Sequence, residues 1–112
     1  MIRAVMILDA SGQLTGCELR GHSGYAEQGS DIVCAAVSAL SITCANSLEA
    51  LCGLKDIAEC GEDGQLSIRI PPEAMTPDAQ LLLQSLRLGL EDIAGTYPRY
   101  VKFSIRKEGT KP

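Results

Sequence analysis

The stretch from Ile32 to Leu48 carries no formal charge and is bracketed by Asp31 and Glu49. In a chain of 112 residues, so long an apolar run is either a membrane span or the spine of a core. It contains Ser38, Ser41, Thr43, Asn46 and Ser47, and it falls short of the roughly 20 apolar residues that cross a bilayer. The reading is a core helix, with no membrane partner. Val33, Val37, Leu40, Cys44, Leu48 and Leu51 recur at i+3 and i+4 as one apolar stripe. Cys34, Ser38, Ser41 and Ala45 lie on a neighbouring line, turned about 100° away on the helix. Ser30 or Asp31 caps the start, since either side chain can accept a free N–H of the first turn. Gly53 ends the helix near Leu54.

Around this helix the sequence punctuates itself. Ile2 to Leu8 is rich in branched apolar residues, Asp9-Ala10-Ser11-Gly12 supplies turn chemistry, and Leu14 to His22 reads as the returning strand. Ser23 to Ser30 has neither a helical nor a strand period and reads as a loop. Residues 55–60 and 65–70 flank Gly61-Glu62-Asp63-Gly64, a second hairpin signal, and Pro71-Pro72 stops that strand. Thr76-Pro77-Asp78 starts a second helix, with an N-cap, a proline at the first helical position and an acid in the first turn. Its apolar face carries Ala79, Leu82, Leu86, Leu90, Ile93 and Tyr97. Tyr100 to Lys107 alternates, with Val101, Phe103 and Ile105 on one face. The order ββαββαβ predicts an α+β fold, a mostly antiparallel sheet with two helices packed on one face. It is read as one domain, residues 1–112.

Composition bounds the function. Ten basic and 14 acidic residues give a net charge of −4, without the basic stripe of a nucleic-acid binder, so no nucleic-acid partner is expected. There are five cysteines and one histidine. The odd count leaves one thiol unpaired, and Met1-Ile2-Arg3 opens no signal-like segment, which points to free thiols in a reducing cytoplasm. No C-x-x-C pair occurs, and His22 is the lone imidazole, so neither a metal nor another cofactor is expected.

One pairing of residues carries chemistry. Gly21-His22 ends a strand and Cys34 opens a helix, with a glycine-containing loop between them. A thiol attacks as its thiolate, which a helix start and a neighbouring imidazole both favour. The imidazole can then protonate the leaving amine, and first-turn N–H groups could hold an oxyanion. Cys44 lies on the apolar stripe and reads as a small buried hydrophobe, as do Cys17, Cys52 and Cys60. Asp31 is either a simple N-cap or an orienting carboxylate. Ser38 either packs or shapes the site floor, and Gly21, Gly24 and Gly29 are turn residues or points of close backbone approach.

The run Gly21-His22-Ser23-Gly24-Tyr25-Ala26, followed by Gly29-Ser30-Asp31-Ile32-Val33-Cys34-Ala35-Ala36-Val37-Ser38, closely resembles the ribosomal-processing cysteine protease family. The resemblance implies a cytoplasmic bacterial endopeptidase that removes a short N-terminal extension from the precursor of the large-subunit ribosomal protein numbered twenty-seven. It also implies cleavage after a phenylalanine, a homodimer, Cys34 as nucleophile and His22 as general base and acid. Gly21, Asp31 and Ser38 would support the site, and the Ser23–Ser30 loop, with Gly24 and Gly29, would be a lid over bound peptide. Two other classes compete: a non-catalytic ribosome-assembly or peptide-binding module, and a thiol redox enzyme, for which no resolving cysteine is evident.

Overall fold

The computed structural model describes residues 1–22, 26, 31–62 and 64–108. The expected lid, with Gly24 and Gly29, lies outside the described residues apart from Ala26, and so do Ser30 and Asp63. The elements are β1 (Ile2–Leu8), β2 (Leu14–Arg20), α1 (Ile32–Cys52), β3 (Ala58–Cys60), β4 (Leu66–Arg69), a 3-10 turn (Pro72–Ala74), α2 (Pro77–Thr96) and β5 (Val101–Lys107). They form a five-stranded sheet in the order β3-β4-β2-β1-β5. The β1–β2, β2–β4 and β3–β4 pairs are antiparallel, while β1 and β5 are parallel. The expected ββαββαβ order and α+β class are therefore those observed, with both helices on one face of the sheet. The 3-10 turn was not anticipated: Pro71 ends the strand by removing a donor, and Pro72 opens a short helical turn.

The register explains the layers. Ala4 pairs with Leu19 and with Phe103, and Met6 with Cys17 and Ile105, so one face of each strand collects the apolar residues. Ile2, Ala4, Met6, Cys17, Leu19, Leu66, Ile68 and Val101 are buried there against Val33, Val37, Cys44 and Leu48 of α1 and Ala79, Leu83, Leu86 and Leu90 of α2. At about 25 cal/mol per Å² of apolar area removed from water, this burial is the main favourable contribution to folding. The uncharged helix is thus a packed layer of the fold. Its ends match the expected chemistry, with Asp31 as N-cap and Gly53 in left-handed conformation as C-cap.

Three patterning expectations are corrected. Leu51 is 75% exposed, because the covered line of α1 steps from Leu48 to Cys52, which packs against the core, and leaves Leu51 to one side. Ser41, assigned to the line beside the stripe, is buried; its hydroxyl donates to the carbonyl of Val37 at 2.8 Å, which satisfies it inside the core. Ile105 is exposed on β5, the edge strand of the sheet.

Candidate active site

β2 delivers the histidine. Leu19 faces the helices, and after Arg20 the chain turns at Gly21, whose φ of +88° lies in the left-handed region that favours glycine. A Cβ at Gly21 would also collide with the carbonyl oxygen of Met1 at the start of β1. Two independent constraints thus demand glycine before His22. The imidazole itself is exposed.

α1 delivers the cysteine. Asp31 is extended backbone (φ −82°, ψ 102°), and its Oδ1 accepts the N–H groups of Val33 and Cys34, each at 3.0 Å. Asp31 is a true cap, almost wholly buried, and the peptide plane of Cys34 is held by it. This corrects one expectation: the amides of Val33 and Cys34 already donate to a carboxylate, so they are not an open oxyanion cradle. Cys34 is half-buried at the edge of the core.

His22, Cys34, Gly21, Asp31 and Ser38 all line one cleft of about 650 Å³. Ile2 and Leu19 contribute its sheet wall, and Val37, Ser41 and Ile42 extend the α1 wall. A third wall was not foreseen. The β3–β4 hairpin contributes Cys60, Gly61, Gly64, Gln65 and Leu66. The Asp-Gly pair announced a turn there, but only the β3-β4-β2 strand order brings that turn to the end of β2. The walls are largely apolar, as suits a cleft for an uncharged peptide segment.

The other thiols divide by burial. Cys17 lies wholly inside the sheet–helix interface, and burial pushes its thiol up to about 12. Burial likewise pushes Cys44 up to about 11, and its Sγ donates to the carbonyl of Leu82 at 3.7 Å. Cys52 is half-buried against the core. Cys60 departs from its expected burial: β3 is a short edge strand, and Cys60 is exposed on the cleft rim. None of the five cysteines is joined in a disulfide. Among the described residues, no group of three or more His, Cys, Asp or Glu side chains is placed to hold a metal ion.

A thiol from the first turn of α1 and an imidazole from just beyond β2, lining one largely apolar cleft, are the parts of covalent thiol hydrolysis. Comparison with known proteins points the same way. Residues 1–102 match the family model described as Cysteine protease Prp. The ribosomal processing cysteine protease Prp of Bacillus subtilis (strain 168) is 33% identical over 101 residues, covering 87% of this chain and 90% of the relative. Its namesake from Staphylococcus aureus (strain Mu50 / ATCC 700699) is 28% identical over 107 residues, covering 95% and 100%. Among crystal structures, SMU.848 from Streptococcus mutans superposes with a TM-score of 0.82 at 35% identity, covering 96% of this chain and 99% of that one. The S. aureus protease Prp in complex with a covalently linked product peptide also gives 0.82, at 26% identity over 95% and 100% of the two chains. With the cleft, the motif and these matches in agreement, the chain belongs to the Prp family of cysteine proteases and is a cysteine endopeptidase.

Proposed function

We propose that this enzyme removes the short N-terminal extension of the precursor of large-subunit ribosomal protein twenty-seven, using Cys34 and His22 as a catalytic dyad. The observation that carries the reading is that these two residues, from the end of β2 and the first turn of α1, line the same cleft. In the reaction, His22 takes the proton of the Cys34 thiol as Sγ attacks the scissile carbonyl carbon. The tetrahedral species collapses to a thioester, and the imidazolium gives its proton to the departing amine. Water, deprotonated by His22, then attacks the thioester; the carboxylate product leaves and Cys34 recovers its proton.

Asp31 holds the nucleophile's backbone in place, and Gly21 permits the turn that presents the imidazole. Ser38, one turn beyond Cys34, forms part of the cleft wall. Solved S. aureus Prp complexes carry a substrate peptide and a covalently linked product peptide, which supports a peptide substrate and a covalent step. The reading extends to a cytoplasmic homodimer: five cysteines with no disulfide among them suit a reducing compartment, and the family resemblance supports the dimer.

The test is mass spectrometry of precursor and mature ribosomal protein after incubation with enzyme. Wild type is expected to release the extension after a phenylalanine, and Cys34→Ala and His22→Ala to leave the precursor intact. Release by Cys34→Ala at the wild-type rate would overturn the reading.

A further inference from the structure

We propose that Gly64, in the turn between β3 and β4, is a positioning residue for His22; the proposal rests on the reading of His22 as general base and acid. Gly64 has φ +72°, and a Cβ there would lie 3.1 Å from the carbonyl oxygen of Gly21 and 3.6 Å and 3.8 Å from Cε1 and Nδ1 of His22. A side chain at Gly64 would therefore crowd the Gly21 carbonyl and come into van der Waals contact with the imidazole. Gly21 is crowded from a second direction, because a Cβ on it would collide with the Met1 carbonyl oxygen. The backbone leading into His22 is thus held between the start of β1 and the β3–β4 turn.

The turn is itself anchored. Gly61 N–H donates to the Gln65 carbonyl at 2.8 Å, and Leu66 is registered opposite Leu19 on β2, the strand that leads to His22. Sheet register therefore sets where the turn meets the imidazole. A general base works only within hydrogen-bond reach of its proton, about 2.6–3.2 Å, and a displacement of about 1 Å costs on the order of 100-fold in rate. A methyl at Gly64 forces the hairpin and the Gly21–His22 segment apart by a fraction of that, which predicts about a tenfold loss in kcat.

Gly64→Ala carries two effects, left-handed backbone strain and the new contact, and Gly53→Ala separates them. Gly53 has φ +70°, and a Cβ there meets nothing within 4 Å. The readouts are kcat and KM on a precursor peptide, together with the NMR cross-peak of the His22 Cε1–H, the chain's one histidine. Gly64→Ala is expected to move the cross-peak and lower kcat about tenfold, with KM within about twofold; Gly53→Ala is expected to leave all three at wild-type values while lowering Tm similarly. Asn tolerates the left-handed region, so Gly64→Asn keeps the turn and still adds the Cβ; it gives the same result if Gly64→Ala does not fold. A cross-peak and kcat that stay at wild-type values in the Gly64 variants, or that change equally in Gly53→Ala, would overturn the proposal. If wild type cleaves no precursor peptide, it is the dyad reading that fails, and the cross-peak still decides whether Gly64 sets the position of His22.

Discussion

Oδ1 of Asp31 accepts the backbone N–H of Cys34 at 3.0 Å. The residue that starts the helix thus also holds the peptide plane of Cys34. The carboxylate occupies amides that would otherwise face an incoming carbonyl. Donors for an oxyanion must then come from other groups around the cleft.

Removing this cap should cost stability in a graded way. Asp31→Ala is expected to destabilise by about 1 kcal/mol, or a Tm lower by about 4 °C, because Val33 and Cys34 lose their acceptor. Asp31→Asn keeps an acceptor oxygen and should lose less than half as much. Calorimetry on the two variants checks this; equal losses would show that the cap is not what the carboxylate contributes.

The thiols should sort by burial when alkylated. Iodoacetamide at pH 8 is expected to label Cys60 and Cys34 in the folded protein and to leave Cys17 and Cys44 untouched. With its thiol pushed up to about 12, Cys17 is about one part in ten thousand thiolate at that pH. Peptide mapping before and after addition of denaturant reads the order, and rapid native labelling of Cys17 would contradict its place in the core.

Cys17 also makes an alkaline prediction. Its folded pKa is raised above the unfolded value, so its contribution to stability is whole below pH 9 and is lost as pH rises toward 12. The stability difference between wild type and Cys17→Ala should therefore shrink between pH 8 and pH 11, as followed by urea denaturation.

On the open face of the sheet, Glu18 accepts from Arg69 at 2.9 Å and from Arg106 at 3.0 Å, and Glu108 accepts from Arg69 at 2.7 Å. The Arg106 guanidinium, seconded by Arg69, holds the Glu18 carboxyl below its usual range, and Arg69 does the same for Glu108. A depressed folded pKa gives stability present above the unfolded value and lost as pH falls through the folded one. Glu18→Gln should therefore be less stable than wild type at pH 7 and nearly equal to it at pH 2.5. Exposed pairs of this kind contribute about 0.2–1 kcal/mol, and high salt should shrink the difference.

Beside that network, Arg3 is registered directly opposite Arg20 on one side and Lys102 on the other. Like charges facing each other across strands destabilise by up to about 1 kcal/mol. Arg3→Thr should raise Tm, more so at low ionic strength; a fall in Tm would show that the arginine stem contributes packing that outweighs the repulsion.

Element identity was legible in the sequence wherever local chemistry decides it. The Asp31 cap, the Gly53 terminator, the Thr76-Pro77 start and the turn at Asp9–Gly12 each act within a few residues, so reading them needs no tertiary information. That His22 and Cys34 share one cleft was legible as a motif. Burial was less so: Ser41 and Leu51 were misassigned because steps of three and of four both follow a helical face, and only the packing against the rest of the fold decides which of them is covered. The exposure of Cys60 escaped for a similar reason, since nothing local marks β3 as an edge.

The sequence alone determined the ββαββαβ order, the capped start of α1, and the placement of Cys34 in its first turn and of His22 just after β2. The tertiary structure decided what surrounds them. Strand order carries the β3–β4 turn to the end of β2, where Gly64 and His22 line the same cleft, and the Asp31 carboxylate takes up the amides of Val33 and Cys34. Both facts depend on non-local approach, which is set by register and close packing across the sheet, and no spacing along the chain encodes it.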